Sequence, residues 1–299
     1  MYGLSLFLRC MVICLAATQP AAAGQASSDA PAAEWLVEWE LAAAERGSPS
    51  AQYRLGNRYL NGDGVAQSFA DSARWFRLAA ESGHAEAQFS IGLMYETGLG
   101  VERDDRISFA WISQAARAGL PGAQHKLGQL YAMGVGVPAD PAVSAEWYAR
   151  AAGQGVAEAQ YELGMAYLRG AGVEYDTETA AAWIARAAAD DCLAAQYMLG
   201  ILYLEGIGVA RDHAAAMEWL FRAAHRGSSD AQYHVGMIYA EGIGVMRQEA
   251  KAEQWLRRAA AGGHELARRG LEELIRRRVE SLGNYPLPDL RRVRASLYG

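Results

Sequence analysis

Residues 159–173 read AQYELGMAYLRGAGV, and variants of this stretch recur along the chain. The opening Ala-Gln pair returns every 36 residues, with its alanine at Ala51, Ala87, Ala123, Ala159, Ala195 and Ala231. The two glycines at the end, and the valine after the second, keep the same spacing in all six copies. A glycine-rich turn can cradle a phosphate, but a phosphate site needs only one such loop. Six matching loops indicate a repeated architecture instead.

Each copy predicts a first helix that ends at its loop. Ala159, Leu163 and Tyr167 are spaced by four residues, so they lie along one stripe of a helix. Gly164, beside this stripe, lets a neighbouring backbone come close. Gly170 suits the end of the helix in a left-handed conformation, where a side chain costs about 1–2 kcal/mol. The glycines are therefore predicted to be helix caps.

A second helix is predicted after each loop. Its N-cap position carries Ser68, Asp104, Asp140, Asp176 and Asp212 in the first five copies. A tryptophan follows in all six copies, and Trp75, Phe76, Ala79 and Ala80 form an apolar stripe in the first. The tryptophans are therefore predicted to be core residues. A glycine closes this helix except in the fourth unit, where Asp191 predicts an altered turn, since aspartate tolerates left-handed backbone.

The repeated motif resembles that of the Sel-one-like repeat (SLR) family, relatives of the tetratricopeptide repeats, over residues 51–266. The resemblance implies an all-α fold, a right-handed α-solenoid of six 36-residue helix-turn-helix repeats. Residues 34–50 are in phase with a second helix and predict an N-terminal half-unit. Residues 267–282 continue the first-helix phase, but Glu272 replaces the glycine, which predicts a charged capping helix at the end of the stack.

The N-terminal residues are predicted to be an export signal. Residues 1–23 combine an arginine, a short apolar run and a small-x-small motif, so cleavage is expected between Ala23 and Gly24. The apolar run is too short for a bilayer, so no integral membrane span is expected after cleavage. Residues 24–33 are interpreted as a linker. Cleavage would leave Cys192 as the one cysteine, so the exported product, periplasmic or secreted, has no internal disulfide.

The net charge of −6 is distributed unevenly. From Ala267 to Gly299 there are eight arginines and four acidic residues, a balance of +4, which leaves −10 for the rest of the chain. An acidic repeat region argues against nucleic acid as a partner. The basic tail, residues 283–299, is interpreted either as solvated or as an arm in weak contact with an anionic surface or an acidic partner.

The sequence carries no catalytic constellation that we can identify. Its six histidines are scattered and lack ligand-like spacing with cysteines or carboxylates, so no metal or cofactor is expected. Cys192 has no paired cysteine and no nearby basic residue to activate it. The resemblance includes cysteine-rich relatives with β-lactamase-like activity, but this chain lacks their paired cysteines. Such an enzyme, or a polysaccharide- or peptidoglycan-associated envelope protein, is the alternative function, and no paired-carboxylate site supports it.

The remaining candidate is a binding surface. The resemblance implies that first helices line a concave face, and the fourth, seventh and eleventh positions of each copy vary and share one helix side. The candidate partner-binding residues are Arg54, Asn57, Asn61, Lys126, Gln129, Glu162, Arg169, Met198, Glu205, His234, Met237 and Glu241. They change from polar and basic in early copies to apolar and acidic in late ones. We therefore expect a non-enzymatic scaffold or regulator that binds an envelope or secreted protein in this groove, and a face without a partner is the alternative.

Overall fold

The computed structural model describes residues 30–281 as α-helices joined by short loops, with no strand among these residues. The export signal with its cleavage site at Ala23 and Gly24, the first residues of the linker, and the basic tail lie outside the described residues. The helices are α1 (Ala30–Glu45), α2 (Pro49–Asn61), α3 (Phe69–Glu81), α4 (Ala85–Thr97), α5 (Asp105–Arg117), α6 (Pro121–Met133), α7 (Pro141–Gly153), α8 (Ala157–Arg169), α9 (Thr177–Ala189), α10 (Leu193–Glu205), α11 (His213–His225), α12 (Ser229–Glu241), α13 (Glu249–Ala261) and α14 (Glu265–Ser281).

The chain forms two compact units, residues 1–147 and residues 148–299, which divide inside α7. In the described part of the first unit, each helix from α1 to α6 packs on the next one in sequence. In the second unit the same succession runs from α8 to α14. Packing on sequence neighbours is the arrangement of an α-solenoid, so the predicted all-α class is confirmed. Its right-handed sense stays a prediction.

The predicted caps are present at both ends of the helices. The Asp212 carboxylate accepts hydrogen bonds from the backbone N–H groups of Ala214 and Ala215, at 2.9 and 3.0 Å, and so begins α11. Gly206 ends α10 with φ 74°, and its N–H donates to the carbonyl of Leu202. The side chains that cap second helices in this way are Ser68, Asp104, Asp140, Asp176 and Asp212. The first loop glycine of each repeat ends its first helix, as predicted, whereas the second is not a helix cap.

Small residues bring the two helices of each repeat together. Ala159 and Leu163 of α8 are buried, at 0% and 3% exposure, which confirms the predicted stripe. A Cβ added at Gly164 would lie 2.6 Å from Cγ1 of Ile184, so only glycine lets α9 approach this closely. Ile184 is itself fully buried. Alanine and glycine contacts thus bring the two helices together, and the space beside the glycine is filled by one large side chain, which is Ile184 here and Phe76 in the first repeat.

The second loop glycine makes a contact between successive repeats. Gly208 has φ 67°, and a Cβ built there would overlap the carbonyl oxygen of Thr177. Thr177 is the first residue of α9, the second helix of the preceding repeat. The loop after α10 therefore rests directly on the backbone of α9. Val209, which follows the glycine, packs against the core cluster of α9 and α10.

Two helix ends depart from the common pattern of the repeats. Helix α1 begins at Ala30, inside the segment that the sequence assigned to a linker. Pro31 lies in its first turn, where backbone N–H groups have no helical partner and proline is tolerated. After α9, Asp191 has φ 61° and is the only non-glycine residue with positive φ in the described chain. The expected altered turn at Asp191 is confirmed, and the succession of helices continues through it.

The tryptophans are only partly core residues. Trp75 and Trp255 are buried, at 5% and 8% exposure, as predicted. Trp183 is half-buried, because its outward ring face is covered by the guanidinium of Arg186 at 4.7 Å from the ring centroid. This stacking of an arginine on an aromatic ring shields part of the apolar ring surface from solvent.

Helix α14 has an apolar side and a charged side. Leu271 and Leu274 are buried, at 1% and 4% exposure, against the core cluster of α12 and α13. On the other side Arg278 reaches back to α13, with Nη1 2.8 Å from Oε2 of Glu253. A helix with this division covers the last repeat and presents charge to solvent, which is the role expected of a terminal cap.

Candidate binding face on the first helices

The candidate residues of the second unit lie on three neighbouring first helices, α8, α10 and α12. Tyr197 of α10 and His234 of α12 have ring centroids 5.7 Å apart. Met198 of α10 and Leu168 of α8 pack against the same core cluster. We call this surface the acidic face and define it by Glu162, Arg169, Met198, Ile201, Glu205, His234, Met237 and Glu241. The candidates of one unit are thus brought together.

The acidic face has an exposed edge and a half-buried floor. The edge is formed by the eleventh positions, which end their helices: Arg169, Glu205 and Glu241. The half-buried fourth and seventh positions form the floor: Glu162, Met198, Ile201, His234 and Met237. Unbranched methionines adapt to partners of different shape. A floor of this kind accepts apolar groups, while the edge offers charge.

In the first unit the candidate basic residues are already paired. Nε of Arg54 lies 3.0 Å from Oε1 of Glu40, and Arg58 contacts the other oxygen of the same buried carboxylate. Nζ of Lys126 lies 2.7 Å from Oε1 of Glu96. The expectation of a basic early end is corrected by these contacts, because both cations are compensated within the fold. The Glu40 pairs also fasten α1 to α2.

The uncharged candidates of the first unit are also held locally in two of three cases. Nδ2 of Asn57 donates to the carbonyl of Tyr53 at 3.0 Å. Nε2 of Gln129 lies 3.3 Å from Nε2 of His125. Asn61 is exposed at the end of α2. These first-unit side chains offer a partner less free hydrogen-bonding capacity than the sequence suggested.

The carboxylates of the acidic face have no such compensation. In the described part of the chain no ion pair engages Glu162, Glu205 or Glu241, in contrast to the glutamates of the first unit. Burial lowers the pKa of His234, and neighbouring His264 lowers it further, so this histidine is neutral at pH 7. With three carboxylates against Arg169, the face is negative at neutral pH.

Glu162 is the least expected of these carboxylates. It is half-buried, and burial raises the pKa of its carboxyl, while nearby Arg169 lowers it in part. A charge held in such surroundings costs folding free energy. The charged form of Glu162 therefore does not favour folding.

We expect Glu162→Gln to raise the melting temperature at pH 7. Because the folded-state pKa of Glu162 is raised, wild-type stability falls as the pH rises from about 4.3 through the raised value. Glutamine does not titrate there, so the two melting curves should converge below about pH 4. Melting temperatures at a series of pH values measure this, with exposed Glu174→Gln as the control. Equal melting temperatures at pH 7 would contradict it.

The sequence did not reveal Glu40 and Glu96 as partners of the basic candidates. Glu40 lies 14 residues before Arg54, and Glu96 lies 30 residues before Lys126. The sequence did contain a signal for the pair of Glu96 and Lys126. These opposite charges lie on successive first helices and are separated by nearly one repeat length, so they lie side by side in a solenoid.

The described residues offer little for catalysis. Cys192 is half-buried at the start of α10, and burial raises the pKa of its thiol, so it stays protonated and weakly nucleophilic at neutral pH. Within residues 30–281 no cluster of three or more histidine, cysteine or acidic side chains is placed to hold a metal ion. In the same range, no helix combines the length and apolar character that a membrane crossing requires.

The Sel1 repeat family model matches the chain six times without a gap. The matched segments are residues 49–84, 85–120, 121–156, 157–192, 193–228 and 229–264. They begin two residues before the frame that starts at Ala51, so that each includes the first turn of its first helix. No curated protein matches the chain.

Two solved structures are similar over most of the chain. One is a protective antigen present in uropathogenic Escherichia coli strains that displays an SLR fold, with 35% identity, a TM-score of 0.76 and coverage of 79% of this chain. This chain spans about half of that antigen, 51% of its length. The other is a Sel1 repeat protein from Oxalobacter formigenes, with 34% identity, a TM-score of 0.65 and coverage of 72% of this chain and 89% of that one. The chain belongs to the Sel1 repeat family.

Proposed function

We propose that this protein is a non-enzymatic scaffold or regulator that binds a partner protein through the acidic face. Sel1 repeat proteins are commonly protein-interaction scaffolds and are generally non-catalytic. The observation that carries the proposal is the set of carboxylates on α8, α10 and α12 that form no ion pair within residues 30–281, beside the half-buried apolar side chains of Met198, Ile201 and Met237. The proposal takes residues 1–23 as an export signal, which supports a partner in the cell envelope or outside the cell.

The chemistry of the face selects the kind of partner segment. Glu205 and Glu241 are exposed and one repeat apart, so they fit lysines or arginines on one side of a helix or strand. Met198, Ile201 and Met237 fit apolar side chains beside those cations. Each exposed ion pair adds only about 0.2–1 kcal/mol. Affinity therefore comes mainly from the apolar floor, and the carboxylates set orientation and association rate.

We expect Glu205→Lys with Glu241→Lys to slow partner association without unfolding the protein. Exposed substitutions usually change stability by less than about 0.5 kcal/mol. Like charges then face the cationic segment, so the association rate should fall, and the loss should shrink as salt rises. The partner is isolated by crosslinked pull-down from the envelope fraction of the native host, and its association rate is measured with both proteins purified.

The matched control carries the same charge change away from the acidic face. Glu146→Lys with Glu174→Lys alters two exposed carboxylates that are not on first helices and should bind as wild type. Circular dichroism must show native helix content for both variants. If the Glu205 and Glu241 variant binds as fast as wild type at low salt, the partner does not use this face. Turnover of a cell-wall or β-lactam substrate by the purified protein would overturn the non-enzymatic assignment.

A further inference from the structure

We propose that the C-terminal segment, residues 282–299, docks on the acidic face of its own chain. The docking stands on the positions and charges of the second unit. Its consequence, competition between the segment and the partner, rests on the proposed function. The segment would then act as an internal competitor that a partner must displace.

Helix α14 delivers the segment to the edge of the acidic face. Glu265, its first residue, stands one repeat after Ser229, the first residue of α12, so α14 takes the place of a further first helix. It packs on α13 and also contacts α12. First helices separated by one returning helix run in the same direction, so their C-terminal ends share one edge. Glu205 and Glu241 are the last residues of α10 and α12, and α14 continues about one turn further to Ser281, so the chain leaves α14 about one turn beyond the edge that carries these carboxylates.

The segment is long enough to cover the face. It contains eighteen residues after Ser281. Adjacent packed helices lie about 8–10 Å apart, so the end of α10 is about 20 Å from the end of α14. Eighteen residues reach up to about 60 Å, so the segment has ample length even in a contracted form.

Charge directs the segment to this face rather than back onto α14. The segment carries Arg291, Arg292 and Arg294 against a single carboxylate, Asp289. Four of the glutamates on or beside α14 are already paired with its own arginines: Glu249, Glu253, Glu265 and Glu273. The unpaired carboxylates on this edge of the described chain include those that end α10 and α12. They are opposite in sign to the segment and lie within its reach.

The apolar groups of the segment match the floor. Leu290, Val293 and Leu297 are spaced by three and four residues, which places them on one side of a helical turn. Met198 and Met237 are half-buried and offer adaptable contacts. A basic amphipathic segment also suits an anionic lipid surface, so vesicle binding is one of the outcomes that the test distinguishes.

The test places a photo-crosslinker in the full chain. Tyr298 is replaced by p-benzoylphenylalanine, the purified protein is irradiated in dilute solution, and the crosslinks are mapped by mass spectrometry. We expect intramolecular crosslinks to α10 and α12. In Glu205→Lys with Glu241→Lys their yield should be at least about fivefold lower at low salt, and in Glu146→Lys with Glu174→Lys it should be unchanged.

A charge swap separates docking from a mere change of shape. Reversing the segment, with Arg291→Glu, Arg292→Glu and Arg294→Glu, should abolish the crosslinks. Combining this reversal with Glu205→Lys and Glu241→Lys should restore them, since opposite charges face each other again. Restoration is expected only from direct contact, because two independent structural defects would add.

Each contrary outcome identifies another arrangement. Crosslinks that are intermolecular would assign the face to a second copy and overturn the proposal. The proposal would also be overturned if the crosslink yield stayed the same after both charge reversals. It would be overturned equally if the segment bound phosphatidylglycerol vesicles and formed no crosslink to the face. In those cases the proposed function would still hold if Glu205→Lys with Glu241→Lys slowed partner association. If docking and function both hold, segment reversal should speed partner association.

Discussion

Replacing Gly208 by alanine is expected to cost about 2–5 kcal/mol of folding free energy. The left-handed backbone at φ 67° accounts for about 1–2 kcal/mol of this, since an L side chain is disfavoured there. Overlap of the new methyl group with the carbonyl oxygen of Thr177 accounts for about 1–3 kcal/mol more. The oxygen belongs to the backbone of a helix and cannot rotate away. Urea denaturation followed by circular dichroism measures the loss.

Gly227→Ala is the matched control for this steric argument. Gly227 also has a left-handed backbone, at φ 93°, but a Cβ there would meet nothing within 4 Å. Only the backbone cost of about 1–2 kcal/mol should appear. If both variants lose the same stability, the contact between Gly208 and Thr177 is not what the second loop glycine provides.

Leu163→Ala is expected to cost about 2–5 kcal/mol and to divide the unfolding transition. The side chain is 3% exposed and packs with Tyr148, Ala151 and Ala159 in the core cluster that joins α7 to α8. In a linear array each repeat is stabilised by its neighbours alone, so damage to an internal interface uncouples the repeats on either side. Thermal and urea melts should become multiphasic or shift to lower midpoints.

Leu266→Ala tests whether this effect comes from burial. Leu266 lies near the start of α14 and is 52% exposed, so its truncation should change stability by less than about 0.5 kcal/mol. If the unfolding curve of Leu163→Ala resembles that of wild type, the stripe through Ala159 and Leu163 does not form the core. That result would contradict the burial of both residues.

The helices and their ends were predictable because their causes are local. Asp212 caps α11 through backbone groups two and three residues away, and Gly206 ends α10 through a bond four residues back. Six copies of one pattern made these signals stand out from chance. The altered turn at Asp191 was predictable for the same reason, since one position deviated from five that agreed.

The electrostatics of the candidate face were less predictable because they depend on distant residues. A column of variable positions showed Arg54 and Lys126 as charges, but not that Glu40 and Glu96 neutralise them. The half-burial of Glu162 likewise depends on the packing of α8 and was not visible in its spacing. The sequence placed the candidates on one side of the helices, and the folded chain determined which of them are free to bind.

The contact made by the second loop glycine affects how a chain of this kind can gain or lose repeats during evolution. Gly100, Gly136 and Gly208 each rest on a backbone carbonyl of the preceding repeat, and the residues that supply it are Phe69, Asp105 and Thr177. These three side chains differ, so at these junctions the contact does not require a particular residue in the preceding repeat, whereas Gly244 meets the side chain of His213. A gene segment encoding 36 residues can therefore be duplicated or deleted by recombination, and the junctions it creates are compatible at once. Descendants of one ancestor should differ by whole repeats, with side chains on the first helices diverging only afterwards.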